Sequence, residues 1–100
     1  MTVIVAGTVR ADPQNLERFR PHMTAMMAAS QAEDGCIAYS YGLDVAEPGL
    51  VRVFEVWRDQ AALDAHFQTE HMARWRALWP QFGVSDRRLS VYEIASERAL

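Results

Sequence analysis

The chain reads as six elements set out by two periodicities. Thr2–Arg10 is rich in β-branched residues and predicts a strand. Asp12-Pro13 marks a helix start, with a capping carboxylate and proline in the first turn. Leu16, Phe19, Met23, Met26 and Met27 then recur at three- and four-residue spacing, one apolar stripe on a helix running to about Ala32. Pro21 lies inside that stripe and should kink the helix or mark its true start. Asp34-Gly35 closes it, Gly35 suiting a left-handed cap. Cys36–Leu43 is a second strand, Asp44–Gly49 with its Pro48-Gly49 a hairpin turn, and Leu50–Arg58 a third strand. Asp59 caps a second helix through Ala62, Leu63, His66 and Phe67. Thr69 looks like another cap, so this helix should break or bend near it before continuing through Trp75, Leu78 and Trp79 to Pro80. Arg87–Ala95 is the last strand.

The order β-α-β-β-α-β predicts a ferredoxin-like α+β domain spanning residues 2–95, a four-stranded antiparallel sheet with both helices on one face. Side chains alternate across a strand. Val51, Val53, Glu55 and Trp57 therefore share one face of the third strand, and Arg52, Phe54, Val56 and Arg58 the other. In the second strand Ile37, Tyr39, Tyr41 and Leu43 oppose Cys36, Ala38, Ser40 and Gly42. Apolar residues fall on both faces, yet two helices cover only one. The uncovered face is an association site, and pairing it with the same face of a second copy predicts a homodimer.

Composition narrows the chemistry. The chain has 100 residues, half hydrophobic and 23% charged, as expected of one globular domain. Every one of its ten basic residues is arginine, so Schiff-base and P-loop lysine chemistry is excluded. A formal charge of −3 without a basic stripe argues against a nucleic-acid partner. No apolar run reaches the roughly 18 residues of a membrane span. Nor does the start of the sequence look like a signal peptide. Cys36 stands alone, so no internal disulfide can form, and a cytoplasmic setting is expected.

Glu55 sits among apolar neighbours, where its ionised form is disfavoured and it becomes a possible proton acceptor; the plainer reading is a buried, satisfied glutamate. His66 and His71 are the best acid–base candidates, because imidazole titrates near neutrality. The alternative is that His66 tethers its helix to the sheet and His71 is merely polar at a helix start. On a continuous helix five residues turn through about 140°, so the pair should not share a metal, and no metal is expected. Trp57, Trp75, Trp79, Tyr39 and Phe67 could wall an aromatic ligand, or could simply be core. Cys36, without a neighbouring base, reads as a small buried residue.

Several segments occur together in order: Glu33-Asp34-Gly35-Cys36-Ile37-Ala38-Tyr39, Glu55-Val56-Trp57-Arg58-Asp59, Ala62-Leu63-Asp64-Ala65-His66 and Thr69-Glu70-His71. Over residues 2–95 the chain resembles the antibiotic biosynthesis monooxygenase family. The resemblance implies a dimeric α/β barrel with one pocket per subunit between sheet and helices, and oxygenation of a quinol or polycyclic phenol by dioxygen without flavin or metal. It also implies Trp57 as a pocket wall. On that reading the catalytic set is His66, Glu55 and His71, and the substrate-binding set Trp57, Tyr39, Phe67 and Trp75. Haem-degrading relatives need an asparagine near the end of the first strand. Here that stretch reads Ala6-Gly7-Thr8, and Phe67 stands where their histidine would, which disfavours haem. An isomerase or lyase on the same scaffold, or a binding module without chemistry, are the other readings.

Overall fold

The computed structural model of residues 1–100 has four strands and three helices. They are β1 (Val3–Arg10), α1 (Leu16–Gln31), β2 (Cys36–Leu43), β3 (Leu50–Trp57), α2 (Gln60–Phe67), α3 (Glu70–Leu78) and β4 (Ser85–Glu93). The sheet order is β2-β3-β1-β4, antiparallel throughout, which is the ferredoxin-like topology. No helix is long and apolar enough to cross a membrane.

Local chemistry explains most boundaries. Asp12 caps as expected, but it caps a single 3₁₀ turn, Pro13–Asn15, and α1 begins only at Leu16. Pro21 lies inside α1 as its sixth residue, so the helix passes through it with one backbone N–H donor missing. Asp59 accepts from the Ala62 N–H and Thr69 from the Met72 N–H, so the second helical stretch is two helices, each with its own cap. Gly83, at φ +64°, ends the 3₁₀ turn Trp79–Phe82. The last strand can therefore start at Ser85, two residues earlier than expected, and it ends at Glu93.

The helix-facing side of the sheet holds the core: Val3, Val5, Val51, Val53, Tyr39 and Trp57 are buried there, with Glu55 among them. From α1, Phe19, Met23, Met26 and Ser30 turn inward. Phe19 stacks on Trp75 at 5.1 Å and on Phe82 at 4.7 Å, and Trp75 stacks on Tyr41 at 5.5 Å. This aromatic column ties α1, α3 and β2 together. The face assignment of β2 needs one correction: a bulge between Cys36 and Ala38 breaks the alternation. Cys36 therefore packs toward the core beside Trp57, while Ile37 is turned out and is 62% exposed.

The opposite side of the sheet is bare. Ala38, Val56, Ile4 and Tyr92 form one apolar row across all four strands, and Ser40, Phe54, Ala6 and Ser90 form the next. Phe54 and Tyr92 are exposed. The apolar face expected from the strand pattern is present.

Candidate active site

Between the sheet and α2–α3 lies a cavity of about 240 Å³. Twelve of its sixteen lining residues are hydrophobic; the other four are Glu55, His66, Arg87 and Ser90, and of these Ser90 turns its side chain to the bare face of the sheet. Val5, Val53, Phe67, Met72, Trp75 and Leu89 supply much of the apolar wall.

Glu55 is placed by strand alternation, between Val5 of β1 and Tyr39 of β2. Its carboxylate accepts a 2.9 Å hydrogen bond from Trp57 Nε1. Burial pushes its pKa from 4.5 up to about 7; the Trp57 bond and the positive charge of Arg87 pull the other way, and Glu33 adds to the rise. Glu55 therefore changes protonation near neutrality.

His66 is fully buried at the end of α2. Its Nδ1 lies 2.6 Å from Glu33 Oε2, and the same oxygen lies 2.7 Å from His71 Nε2. Both imidazoles donate to one carboxylate. Glu33 can reach them because Gly35, at φ +86°, lets the turn before β2 press onto α2. A Cβ at Gly35 would stand 2.6 Å from the Ala62 methyl. With Nδ1–H held by Glu33, His66 Nε2 keeps a lone pair, and no protein group bonds it. Burial lowers the pKa of His66 against the opposing pull of Glu33, so the ring is neutral and able to accept a proton.

The other candidates fall differently. Tyr39, Phe67 and Trp75 line the cavity. The Tyr39 hydroxyl is 2.7 Å from that of Tyr41, and burial raises both phenol pKa values, so these rings stay neutral. Trp57, expected as a pocket wall, lies beneath the cavity: it is completely buried and its indole N–H is committed to Glu55. His71 does not reach the cavity lining; it meets Glu33 behind His66. The expectation that His66 and His71 could not converge is also corrected. It assumed one continuous helix, whereas the break at Thr69 resets the phase. Glu33, His66 and His71 present ligand atoms within 4.8 Å of one another, a donor set able to hold a divalent transition ion. Any such ion would sit on the far side of the His66 ring from its free nitrogen. Cys36 has its thiol pushed up to about 11 by burial and the nearby carboxylates, leaving it unreactive.

Glu33, Tyr41 and Arg87 were not singled out from sequence. Glu33 carried a signal, an acid in the turn before a Gly-Cys strand start, but its two partners lie 33 and 38 residues away.

The fold and cavity define the class: a ferredoxin-like α+β protein whose pocket joins apolar walls to a carboxylate-backed imidazole and a second buried carboxylate. The antibiotic biosynthesis monooxygenase family model matches residues 2–78, and the chain belongs to that family. An uncharacterized Synechocystis protein, sll1783, is 34% identical over 98 residues, covering 98% of this chain and 67% of its own. Rv0793 of Mycobacterium tuberculosis, which carries a provisional monooxygenase name, is 35% identical over 79 residues, 77% of each chain. Its solved structure matches at a TM-score of 0.83 and 27% identity, covering 99% of this chain and 100% of that one. A Deinococcus radiodurans structure matches at a TM-score of 0.89 and 21% identity, over 100% of this chain and 98% of that one, a likeness of fold.

Proposed function

We propose that this protein is a cofactor-independent monooxygenase that oxidises a small quinol or phenol with dioxygen, working as a homodimer. The observation that carries the reading is the Glu33–His66 pair, which leaves a lone pair on a neutral imidazole at the wall of an apolar cavity. Family membership and the provisional names of the relatives agree with an oxygenase.

Cavity size supports a small substrate. An apolar cavity of about 150 Å³ accommodates benzene, so 240 Å³ suits one or two fused rings. His66 Nε2 takes the proton of the substrate hydroxyl, and Glu33 stabilises the imidazolium that results. Glu55 is the alternative acceptor, since it ionises near neutrality. The phenolate is electron-rich enough to reduce dioxygen directly. One oxygen atom bonds to the ring carbon, the hydroperoxide loses water, and a carbonyl remains. The ring C–H that becomes C=O, together with the phenol O–H, gives up the four electrons that dioxygen takes up, one oxygen atom staying on the ring and the other leaving as water. Phe67 stacks on the ring, Trp75 borders it by its edge because its faces are taken by Phe19 and Tyr41, and the apolar walls keep water from the intermediate.

The bare sheet face, with Phe54 and Tyr92 exposed beside Ile4 and Val56, supports two-fold pairing. The decisive experiment is oxygen uptake by metal-stripped protein with hydroquinones, naphthohydroquinones and anthrones. Uptake above autoxidation that falls by about 10²–10⁴ in His66→Ala is expected for a general base. Uptake unchanged in both His66→Ala and Glu55→Gln would refute the mechanism. No uptake with any of these substrates would refute the oxygenase reading and leave an isomerase or a binding module.

A further inference from the structure

The cavity lining also holds a cation that the proposed chemistry does not use. Arg87 projects from β4 on the same side as Leu89, and both line the cavity. Its guanidinium carbon lies 4.5 Å from the centroid of the Trp79 ring, another lining residue. That cation–π contact holds the head group against the wall, and its N–H donors have no protein partner. No carboxylate lies within ion-pair distance of it. Its neighbour Asp86 is taken by Arg10 and Arg88.

The backbone is shaped at this point as well. The register of β4 against β1 slips between Thr8 and Arg10, opposite Ser85–Arg88, and Asp86 sits at φ +50°. A non-glycine residue in the left-handed region is strained and persists only where its surroundings hold it. Bulges of this kind re-aim a side chain next to a site. Here the slip lies directly beside the one arginine that enters the cavity lining.

We propose that Arg87 is an anion-binding subsite of this cavity, and that the ligand is a one- or two-ring aromatic bearing a carboxylate. A planar guanidinium fork pairs with a carboxylate through two parallel hydrogen bonds. Anchored there, the aromatic ring lies along the apolar wall toward Glu55 and His66 at the other polar positions of the lining. The substrate class deepens the oxygenase reading and, for turnover, rests on it; the binding preference stands alone.

The test is a pair of ligands that differ only in the acid group, 1-hydroxy-2-naphthoate and 1-naphthol, titrated by tryptophan fluorescence and calorimetry. Wild type should bind the acid at least about tenfold more tightly, the value of a charge-assisted pair. Arg87→Gln should lose that preference while keeping its affinity for naphthol, and Arg87→Lys should restore part of it. Thermal melts establish that each variant is folded. Equal binding of the two ligands by wild type, binding of neither, or equal weakening of both in Arg87→Gln would overturn the subsite; the last would mean that Arg87 only props Trp79. The corresponding dihydroxynaphthoate and naphthohydroquinone then serve as oxygenase substrates. With the acid, Arg87→Gln should raise KM about tenfold and leave kcat nearly unchanged. Absence of oxygen uptake with both quinols would count against the oxygenase, while the binding contrast still decides the subsite.

Discussion

Glu55→Gln isolates the cost of keeping a carboxylate under an apolar cavity. Glutamine has the same shape, and its carbonyl can still accept from Trp57 Nε1, so packing is preserved. What changes is titration. The Glu55 pKa is raised by folding from 4.5 to about 7, so the native state holds its proton more tightly than the unfolded chain. Stability from this group is therefore full below about pH 4.5 and is lost as pH rises through about 7. At 1.36 kcal/mol per tenfold, the loss amounts to about 1 kcal/mol near pH 5 and about 3 kcal/mol near pH 8. Glutamine does not pay it. The variant should gain on wild type by about 2–3 kcal/mol between those two conditions. With a urea m-value of about 1.5 kcal/mol/M, that is a relative midpoint shift of roughly 1.5 M. Equilibrium unfolding at one protein concentration, in steps from about pH 5 to pH 8, measures it. His66 has its pKa lowered and so follows the opposite trend, losing stability as pH falls below its ordinary 6.5; it is present in both proteins and cancels in the comparison. A gap between variant and wild type that does not change with pH would refute the claim that burial governs Glu55.

Three further outcomes follow from the geometry. Glu33→Gln removes the charge that holds both imidazoles and opposes the fall in the His66 pKa, so the rising limb of the oxygen-uptake pH profile should move to lower pH. Activity should drop about tenfold or more, short of the roughly 10²–10⁴ expected for losing the base itself, and an unmoved profile would mean that Glu33 does not support His66. Gly35→Ala forces a Cβ against Ala62 at a left-handed position and should lower stability by about 1–3 kcal/mol, a fall in Tm of roughly 5–15 °C by calorimetry. Phe54→Asp places a charge at the centre of the bare sheet face, so light scattering should show a dimer in wild type and a monomer in the variant, whereas a monomeric wild type would refute the pairing.

Much of the fold was legible from local chemistry. Cap residues at Asp59 and Thr69, the helical stripe through Phe19, Met23 and Met26, and the alternation Val51-Val53-Glu55-Trp57 each act within a few residues, so sequence alone determined helices, strands and which face of β3 was buried. The strand order followed from the element order, because the hairpin and crossover connections leave few alternatives. Tertiary structure decided the site. Trp57 and Glu55 share a face in the sequence pattern, but only packing depth put the indole under the cavity and the carboxylate in its wall. The bulge at Ile37 reversed the facing of Cys36 because the extra residue in β2 is set by pairing with β3, not by β2's own pattern. Convergence of Glu33, His66 and His71 depended on a helix break and on the close approach at Gly35, and the aim of Arg87 on a register slip against β1. Those distances join residues far apart in the chain. Periodicity, which is a relation between near neighbours, has no access to them.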